Sequence, residues 1–184
     1  MRKLAAATLA ALLAAGPALA TGLDIEIGGE ANGTVHVDLF EDVAPEHVKR
    51  ITTLAEEGKY DGVYFHRVIE GFMAQTGDVE FAHEGGDMRR AGMGGSDLPD
   101  LKAEFSDENF DRGVVGMARS QDPDSANSQF FIMFAPAPHL NGGYTVVGKV
   151  TSGMDVVDAI KRGEGRNGAV IGAPDRMVKV TVTE

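Results

Sequence analysis

Short segments in which apolar and polar residues alternate recur along most of this chain, and they restrict its fold more than any other feature. Alternation with a period of two predicts half-buried β-strands. The predicted strands lie at residues 23–27, 34–40, within 63–78, and at 112–120, 128–134, 144–150 and 176–182. Glycines and an Asn-Gly pair at residues 28–33 separate the first two strands, so we expect a β-hairpin there.

Two further segments have helical spacing of apolar residues. In residues 42–60, Pro45 lies near a predicted helix start and Gly58 at its end, and four apolar residues fall on one face: Val48, Ile51, Leu54 and Ala55. In residues 152–163, Met154, Val157 and Ile160 are expected to point inward, with Gly163 as the stop. About eight strands and two helices predict a mainly β fold, a closed eight-stranded antiparallel β-barrel capped by two α-helices.

The first twenty residues have the pattern of a secretory signal peptide. Arg2 and Lys3 precede an apolar run, and Ala18-Leu19-Ala20 forms a small-x-small cleavage site. The apolar run is shorter than the ~20 residues of a membrane span, so a retained anchor is the weaker interpretation. We therefore expect cleavage after Ala20, a single domain at residues 21–184, and a periplasmic location.

Charge and cysteine content exclude several classes of function. The formal net charge is −11, and it becomes −13 when residues 1–20 are removed. So acidic a surface argues against nucleic acid or anionic lipid as a partner. The chain has no cysteine, which excludes disulfides, thiolate metal sites, a cysteine nucleophile and a lipoprotein anchor.

Common cofactor and catalytic motifs are absent or out of context. Residues 163–168, "GEGRNG", match G-x-G-x-x-G, but a predicted helix precedes them and none follows, which is wrong for dinucleotide binding. The five histidines have no metal-ligand spacing, and no G-x-S-x-G motif occurs, so a secreted hydrolase is a weak alternative. Residues 83–100 form a long loop that is either functional or an elaborated rim. Met73, Met117 and Met133 are expected to fill the core.

Residues 63–78, "VYFHRVIEGFMAQTGD", contain the least expected residue of the chain. Read as a strand, this stretch has Phe65, Arg67 and Ile69 on one face and His66 on the other. Arg67 is either a surface residue whose stem covers apolar side chains or the charge of an apolar site. Taken alone, the residues leave both interpretations open.

Three blocks of sequence together resemble the cyclophilin family of peptidyl-prolyl isomerases, in the form found among secreted bacterial members. They are "FHRVIEGFMAQTGD", "GVVGMARSQDPDSANSQFFIMF" and "HLNGGYTVVGKV", and the resemblance extends from about Leu23 to Val182. It implies an eight-stranded barrel with two capping helices. It also implies cis/trans isomerisation of X-Pro bonds in polypeptides, assisting their folding, without a cofactor, a metal or a covalent intermediate. The implied partners are proline-containing polypeptides, and a monomer is expected.

The resemblance also assigns roles to individual residues. Arg67 matches the donor to the prolyl nitrogen, and the expected catalytic residues are Arg67, Phe72 and Gln75. The expected substrate-binding residues are Met73, Ala118, Arg119, Gln129, Phe131, His139 and Leu140. Of these, Ala118 and Arg119 are expected to act through backbone groups, and Gln129 as a polar support. His66 is expected to be a hydrogen-bonded structural residue.

Three positions depart from the best-known eukaryotic pattern. His139 replaces a tryptophan, Arg119 an asparagine and Tyr144 a histidine. Because the tryptophan is a main contact of cyclosporin in those members, we expect this inhibitor to act weakly. The alternative function is a proline-peptide-binding chaperone module without significant turnover.

Overall fold

A computed structural model describes residues 21–184, so the predicted signal peptide lies outside the described residues. The strands are β1 (Gly22–Gly28), β2 (Gly33–Leu39), β3 (Arg67–Ile69), β4 (Met73–Thr76), β5 (Val114–Met117), β6 (Phe130–Met133), β7 (Val146–Ser152) and β8 (Arg176–Thr183). The helices are α1 (Pro45–Glu56) and α2 (Met154–Ala159), with short 3-10 helices at Met88–Arg90 and Pro138–Leu140. The mainly β class is confirmed.

The eight strands form one antiparallel sheet in the order β3-β4-β6-β5-β7-β2-β1-β8. The predicted hairpin is present, with Leu23 opposite Val37 and Ile25 opposite Val35. These four side chains are buried in the interior, as alternation along a half-buried strand requires.

The prediction of a closed barrel is wrong, because the sheet is open between β3 and β8. Within residues 21–184 no regular ladder joins these two strands. The outer edge of β3 is occupied by another segment: Val68 N–H donates to the Gly168 carbonyl, and Gly163 N–H donates to the Val68 carbonyl. The chain just before β3 contacts β8 through an isolated bridge between Tyr64 and Arg176. The strands therefore form a half-barrel.

Helix α1 packs against β8 with the apolar face that its spacing predicts. A carboxylate from a distant segment satisfies the first turn of this helix. Glu104 accepts hydrogen bonds from the backbone N–H groups of Glu46 at 3.2 Å and His47 at 3.1 Å, and from the His47 ring at 2.6 Å. Helix α2 ends at Ala159, earlier than predicted, because Ile160 is extended and Lys161 N–H donates to the Asp175 carboxylate.

Two apolar clusters fill the interior. The larger lies between the sheet and the helices and contains Met117. The smaller supports the face formed by β4, β5 and β6, and its buried members are Met73, Phe110, Val114, Phe131, Met133, Ala137, Leu140 and Val146. The prediction that Met73, Met117 and Met133 are core residues is confirmed, since each is at most 1% exposed.

The predicted alternation before β3 is wrong at one position. Phe65 packs in the larger cluster together with Val68, whereas Ile69 packs against the smaller cluster, on the side of Arg67. Residues 65 and 66 are not in a strand, so the two-residue period is interrupted there. Arg67 therefore does not share a face with Phe65.

Candidate active site

A cavity of about 170 Å³ opens above the smaller apolar cluster. Eight of the ten predicted site residues line it, and Tyr144 is a ninth lining residue. The lining residues are Arg67, Phe72, Met73, Gln75, Ala118, Arg119, Phe131, Leu140 and Tyr144. The cavity is smaller than the roughly 300–1,000 Å³ of sites for drug-sized ligands, so its size suits one small ring.

Arg67 lies at the start of β3, half-buried at the wall of this cavity. Its Nε donates to the Asn167 carbonyl at 2.9 Å, and its Nη1 donates to Gln75 Oε1 at 3.0 Å. Within residues 21–184 its Nη2 has no hydrogen-bond partner. Burial lowers the pKa of Arg67 from its usual value, but the guanidinium stays charged at neutral pH. One side of the guanidinium is thus anchored and the other side is available.

A chain of side chains continues from Arg67 across the sheet. Gln75 Nε2 donates to Gln129 Oε1 at 2.9 Å, and Gln129 Nε2 donates to the Gly94 carbonyl at 2.8 Å. Gln129 is 9% exposed and lies outside the small cavity. This series of hydrogen bonds, from Arg67 through Gln75 and Gln129 to the Gly94 carbonyl, is called the polar relay below. It connects Arg67 to the loop at residues 83–100.

The segment "GEGRNG", residues 163–168, hydrogen-bonds to the edge of β3 and to the Arg67 side chain. It turns back on itself at Glu164 and Ala169 and brings the Asn167 carbonyl to Arg67. Gly168 has φ +65°, and a Cβ there would lie 2.9 Å from the Val68 carbonyl oxygen. Only glycine fits so close to the edge of β3. Sequence reasoning missed this role, because a backbone carbonyl has no residue signature.

The other walls of the cavity are apolar and aromatic. Phe72 stacks on His139 with ring centroids 5.8 Å apart, so His139 lies behind Phe72 and not on the cavity wall. Phe131 stacks on Phe110 at 5.7 Å and meets the edge of Tyr144 at 6.0 Å. Rings fixed in this way hold a small apolar pocket open.

A second cavity of about 380 Å³ adjoins the first. Gln129 lines it together with the loop residues Gly92, Met93 and Gly94, and Met93 is 75% exposed at the rim. Ala118 and Arg119 line both cavities, but the Ala118 N–H already donates to the Gln129 carbonyl at 2.9 Å. That N–H is therefore used within the chain.

His66 differs from its predicted state. Its ring is 5% exposed, and neither ring nitrogen has a hydrogen-bond partner within residues 21–184. The prediction that the His66 ring is hydrogen-bonded is therefore wrong, since neither nitrogen has a partner among the described residues. Burial lowers the pKa of His66, and the Asp78 carboxylate opposes this effect.

Known proteins similar to this chain are cyclophilin-type peptidyl-prolyl cis-trans isomerases. Residues 22–182 match the family described as cyclophilin type peptidyl-prolyl cis-trans isomerase/CLD. The chain belongs to the cyclophilin family. A probable peptidyl-prolyl cis-trans isomerase of Brucella suis is 62% identical over 154 residues, which are 82% of this chain and 78% of that protein. The chain is accordingly a cyclophilin-type peptidyl-prolyl cis-trans isomerase.

More distant cyclophilins extend the likeness to sequence and fold. Arabidopsis thaliana peptidyl-prolyl cis-trans isomerase CYP18-1 is 37% identical over 156 residues, covering 82% of this cyclophilin and 90% of that protein. The Cryptosporidium parvum cyclophilin crystallised in the presence of the dipeptide Ala-Pro is 25% identical with a TM-score of 0.75. That match covers 89% of this chain and 99% of the other.

Residues 21–184 also bear on two other kinds of site, membrane-spanning helices and metal centres. None of the helices between residues 21 and 184 has the length and apolar character needed to cross a membrane. In the same residues, no three His, Asp or Glu side chains are grouped so that they could hold a metal ion.

Proposed function

We propose that this cyclophilin accelerates rotation about X-Pro bonds in polypeptides outside the cytoplasm, with Arg67 as the donor to the prolyl nitrogen. Phe72, Met73, Phe131 and Leu140 hold the proline ring. Gln75 orients Arg67 and contacts the flanking peptide. The Cryptosporidium parvum cyclophilin was crystallised in the presence of the dipeptide Ala-Pro, which supports a proline-containing substrate here.

The observation that carries this proposal is the anchored guanidinium of Arg67 in an apolar cavity. Rotation about the amide breaks its conjugation and leaves the nitrogen with a localised lone pair, which can accept a hydrogen bond. Arg67 lines the cavity, its Nη2 has no hydrogen-bond partner among residues 21–184, and its Nε and Nη1 are held by Asn167 and Gln75. A donor that is already oriented loses little entropy when it meets the twisted state.

Energetics limit what Arg67 does by itself. The uncatalysed barrier is ~18–20 kcal/mol, and exchange takes roughly 10–100 s. An acceleration on the order of 10⁵ requires about 7 kcal/mol. One charge-assisted hydrogen bond supplies roughly 1.5–3 kcal/mol. The apolar walls supply the remainder, by holding the proline ring still and excluding water from the rotating bond.

The test compares turnover with binding. A protease-coupled assay on a proline-containing tetrapeptide measures kcat/KM for the wild type, Arg67→Ala and Arg67→Lys. The matched control is Arg112→Ala, an arginine that pairs with Asp158 and lines neither cavity. We expect a large loss for Arg67→Ala, a partial loss for Arg67→Lys, and wild-type activity for the control.

Two results would decide against the proposal. Equal rates for Arg67→Ala and the wild type remove the assigned role of Arg67. A wild type that binds the peptide, measured by calorimetry, but does not exceed the buffer rate favours the chaperone module without turnover.

The extracytoplasmic location rests on the first twenty residues and on where the fold begins. Gly22, two residues after the predicted cleavage site, is already paired with Asp38 in the sheet. Cleavage after Ala20 would therefore keep Gly22 and its pairing with Asp38 in the mature chain. We expect the periplasmic fraction of a Gram-negative host to contain a protein that starts at Thr21. Ala20→Arg places a large charged residue at the cleavage site and should block processing. A wild-type protein that stays in the cytoplasm and keeps residues 1–20 would contradict the proposed location.

The proposed enzyme acts as a monomer and does not bind nucleic acid. Its formal charge of −11 disfavours a phosphate backbone as a partner. Analytical ultracentrifugation at micromolar concentration is expected to give a single species with the mass of one chain.

A further inference from the structure

Tyr144 lines the small cavity together with the predicted substrate-binding residues Met73, Phe131 and Leu140. It follows Gly142 and Gly143, and Gly142 has φ +67°. Two consecutive glycines leave the backbone before Tyr144 with much conformational freedom. The Tyr144 ring therefore needs a side-chain contact to stay in one position.

Arg119, which lines the same small cavity, provides that contact. Its Nε and Nη2 both donate to the Gly143 carbonyl, at 3.1 and 2.7 Å, and its Nη1 donates to the Ser120 carbonyl at 2.8 Å. The guanidinium lies over the Tyr144 ring with Cζ 4.4 Å from the centroid. Phe110 and Phe131 both meet the same ring edge-on, with centroids 6.4 and 6.0 Å away. Tyr144 is thus held between a cation and two aromatic rings.

Arginine suits this position better than lysine. The planar guanidinium donates two hydrogen bonds to one carbonyl and a third to another while its face rests on a ring. A lysine ammonium has the same charge but no plane, and it cannot keep all these contacts at once. Charge alone would therefore not hold Tyr144.

We propose that the Arg119 side chain is a positioning residue: it fixes the Tyr144 ring against Phe131 and so sets the width of the proline cavity. This inference rests on the proposed function, because the cavity must be the one that binds proline. Arg119 acts through Tyr144, since three N–H groups of its guanidinium are bound to carbonyls of its own chain. We call these contacts of Arg119 with Gly143 and Tyr144 the clamp. Loss of the clamp should free the Tyr144 ring, widen the cavity and lower the affinity for the proline ring.

A double-mutant cycle tests the coupling. The variants are Arg119→Ala, Arg119→Lys, Tyr144→Leu and the Arg119→Ala/Tyr144→Leu double variant, with Arg112→Ala as the control for loss of an exposed arginine. We expect Arg119→Ala and Arg119→Lys each to raise KM about threefold to tenfold with a smaller change in kcat. In the Tyr144→Leu background, Arg119→Ala should add less than about twofold. Arg112→Ala should match the wild type.

Three outcomes would overturn the inference: full activity of Arg119→Lys, full activity of Arg119→Ala, or the same loss from Arg119→Ala with and without Tyr144. The last would mean that Arg119 acts on the substrate directly. A second measurement covers variants that fold poorly. The ring NMR signals of Tyr144 should shift and sharpen in Arg119→Lys, and unchanged signals would contradict the clamp.

Failure of this inference is separable from failure of the proposed function. Calorimetric titration measures the affinity for a proline-containing peptide. We expect this affinity to depend on the width of the cavity whether or not Arg67 is the donor. If Arg67→Ala keeps full turnover while the Arg119 and Tyr144 effects on peptide binding remain coupled, only the role of Arg67 is lost. If Arg67→Ala is inactive and the two effects are additive, only the clamp is lost.

Discussion

Replacement of Gln75 by leucine tests whether the orientation of Arg67 is part of catalysis. Gln75 is the only side chain between residues 21 and 184 that hydrogen-bonds Arg67, through Oε1 at 3.0 Å. Leucine has a similar volume but neither accepts from Arg67 nor donates to Gln129. Gln75 also lines the second cavity, but Gln129 keeps its bond to the Gly94 carbonyl, so the contact between Gln129 and the loop should be retained.

The size of the effect follows from that one contact. A hydrogen bond to a charged group contributes roughly 1.5–3 kcal/mol, and the half-exposed position of Arg67 favours the lower end of this range. At ~1.4 kcal/mol for each factor of ten, kcat/KM should fall about tenfold. Because Asn167 still holds Nε, Arg67 is expected to be less well oriented, but not released.

The assay is kcat/KM for a proline-containing peptide, measured in the wild-type and Arg67→Ala backgrounds. Gln121→Leu, an exposed glutamine that lines neither cavity, is the matched control. If Gln75 acts by orienting Arg67, Gln75→Leu should cost less than about twofold in the Arg67→Ala background. An equal loss in both backgrounds would show that Gln75 acts on the peptide alone. Activity of Gln75→Leu within twofold of wild type would refute the orientation argument.

Three further predictions concern pH, stability and inhibition. Because burial lowers the pKa of His66 below 6.5 in the folded state, the unfolded state binds more protons, so the free energy of unfolding should fall as pH drops below about 6.5. His66→Gln should flatten this slope in urea titrations, and an unchanged slope would assign it to other groups. Glu104→Ala removes the carboxylate at the start of α1 and should cost about 1–2 kcal/mol in unfolding free energy without lowering kcat/KM. Cyclosporin should inhibit weakly, and His139→Trp should lower the inhibitory concentration about tenfold, because tryptophan offers a larger contact surface; submicromolar inhibition of the wild type would contradict this.

Most strands were predictable because their residues alternate over several positions. β1, β2 and β8 lie within one or two residues of the predicted segments. β5 is shorter than predicted, Val114–Met117 in place of 112–120. Ala118 N–H still donates to the Gln129 carbonyl, but Ala118 and Arg119 lie beyond the strand and line the two cavities. The pattern of apolar residues continues past the point where the strand ends, so its boundary could not be read from periodicity.

The open sheet and the anchoring of Arg67 were not predictable for a different reason. Both depend on backbone groups of segments distant in sequence. Gly168 covers the edge of β3, and the Asn167 and Gly94 carbonyls hold the two ends of the polar relay. Every residue has a carbonyl, so no pattern of residue types marks these partners. Gln75 was assigned to the site by the family resemblance, as a contact of the flanking peptide, and its hydrogen bond to Arg67 was not predicted.

The two interpretations of Arg67 that the sequence left open can be separated by its contacts. A surface arginine that merely covers apolar side chains keeps its charged head in water and gains little from a fixed geometry. Arg67 instead has Nε and Nη1 bound to the chain, and burial lowers its pKa. Holding a cation in a partly desolvated site costs free energy, and the contacts with Asn167 and Gln75 offset part of that cost. Among residues 21–184 nothing bonds to Nη2, so this nitrogen can donate to the substrate, and that donor is what the cost of burying the cation provides. Substitution of Gln75 or Gln129, which connect Arg67 to the Gly94 carbonyl, should therefore change the turnover rate.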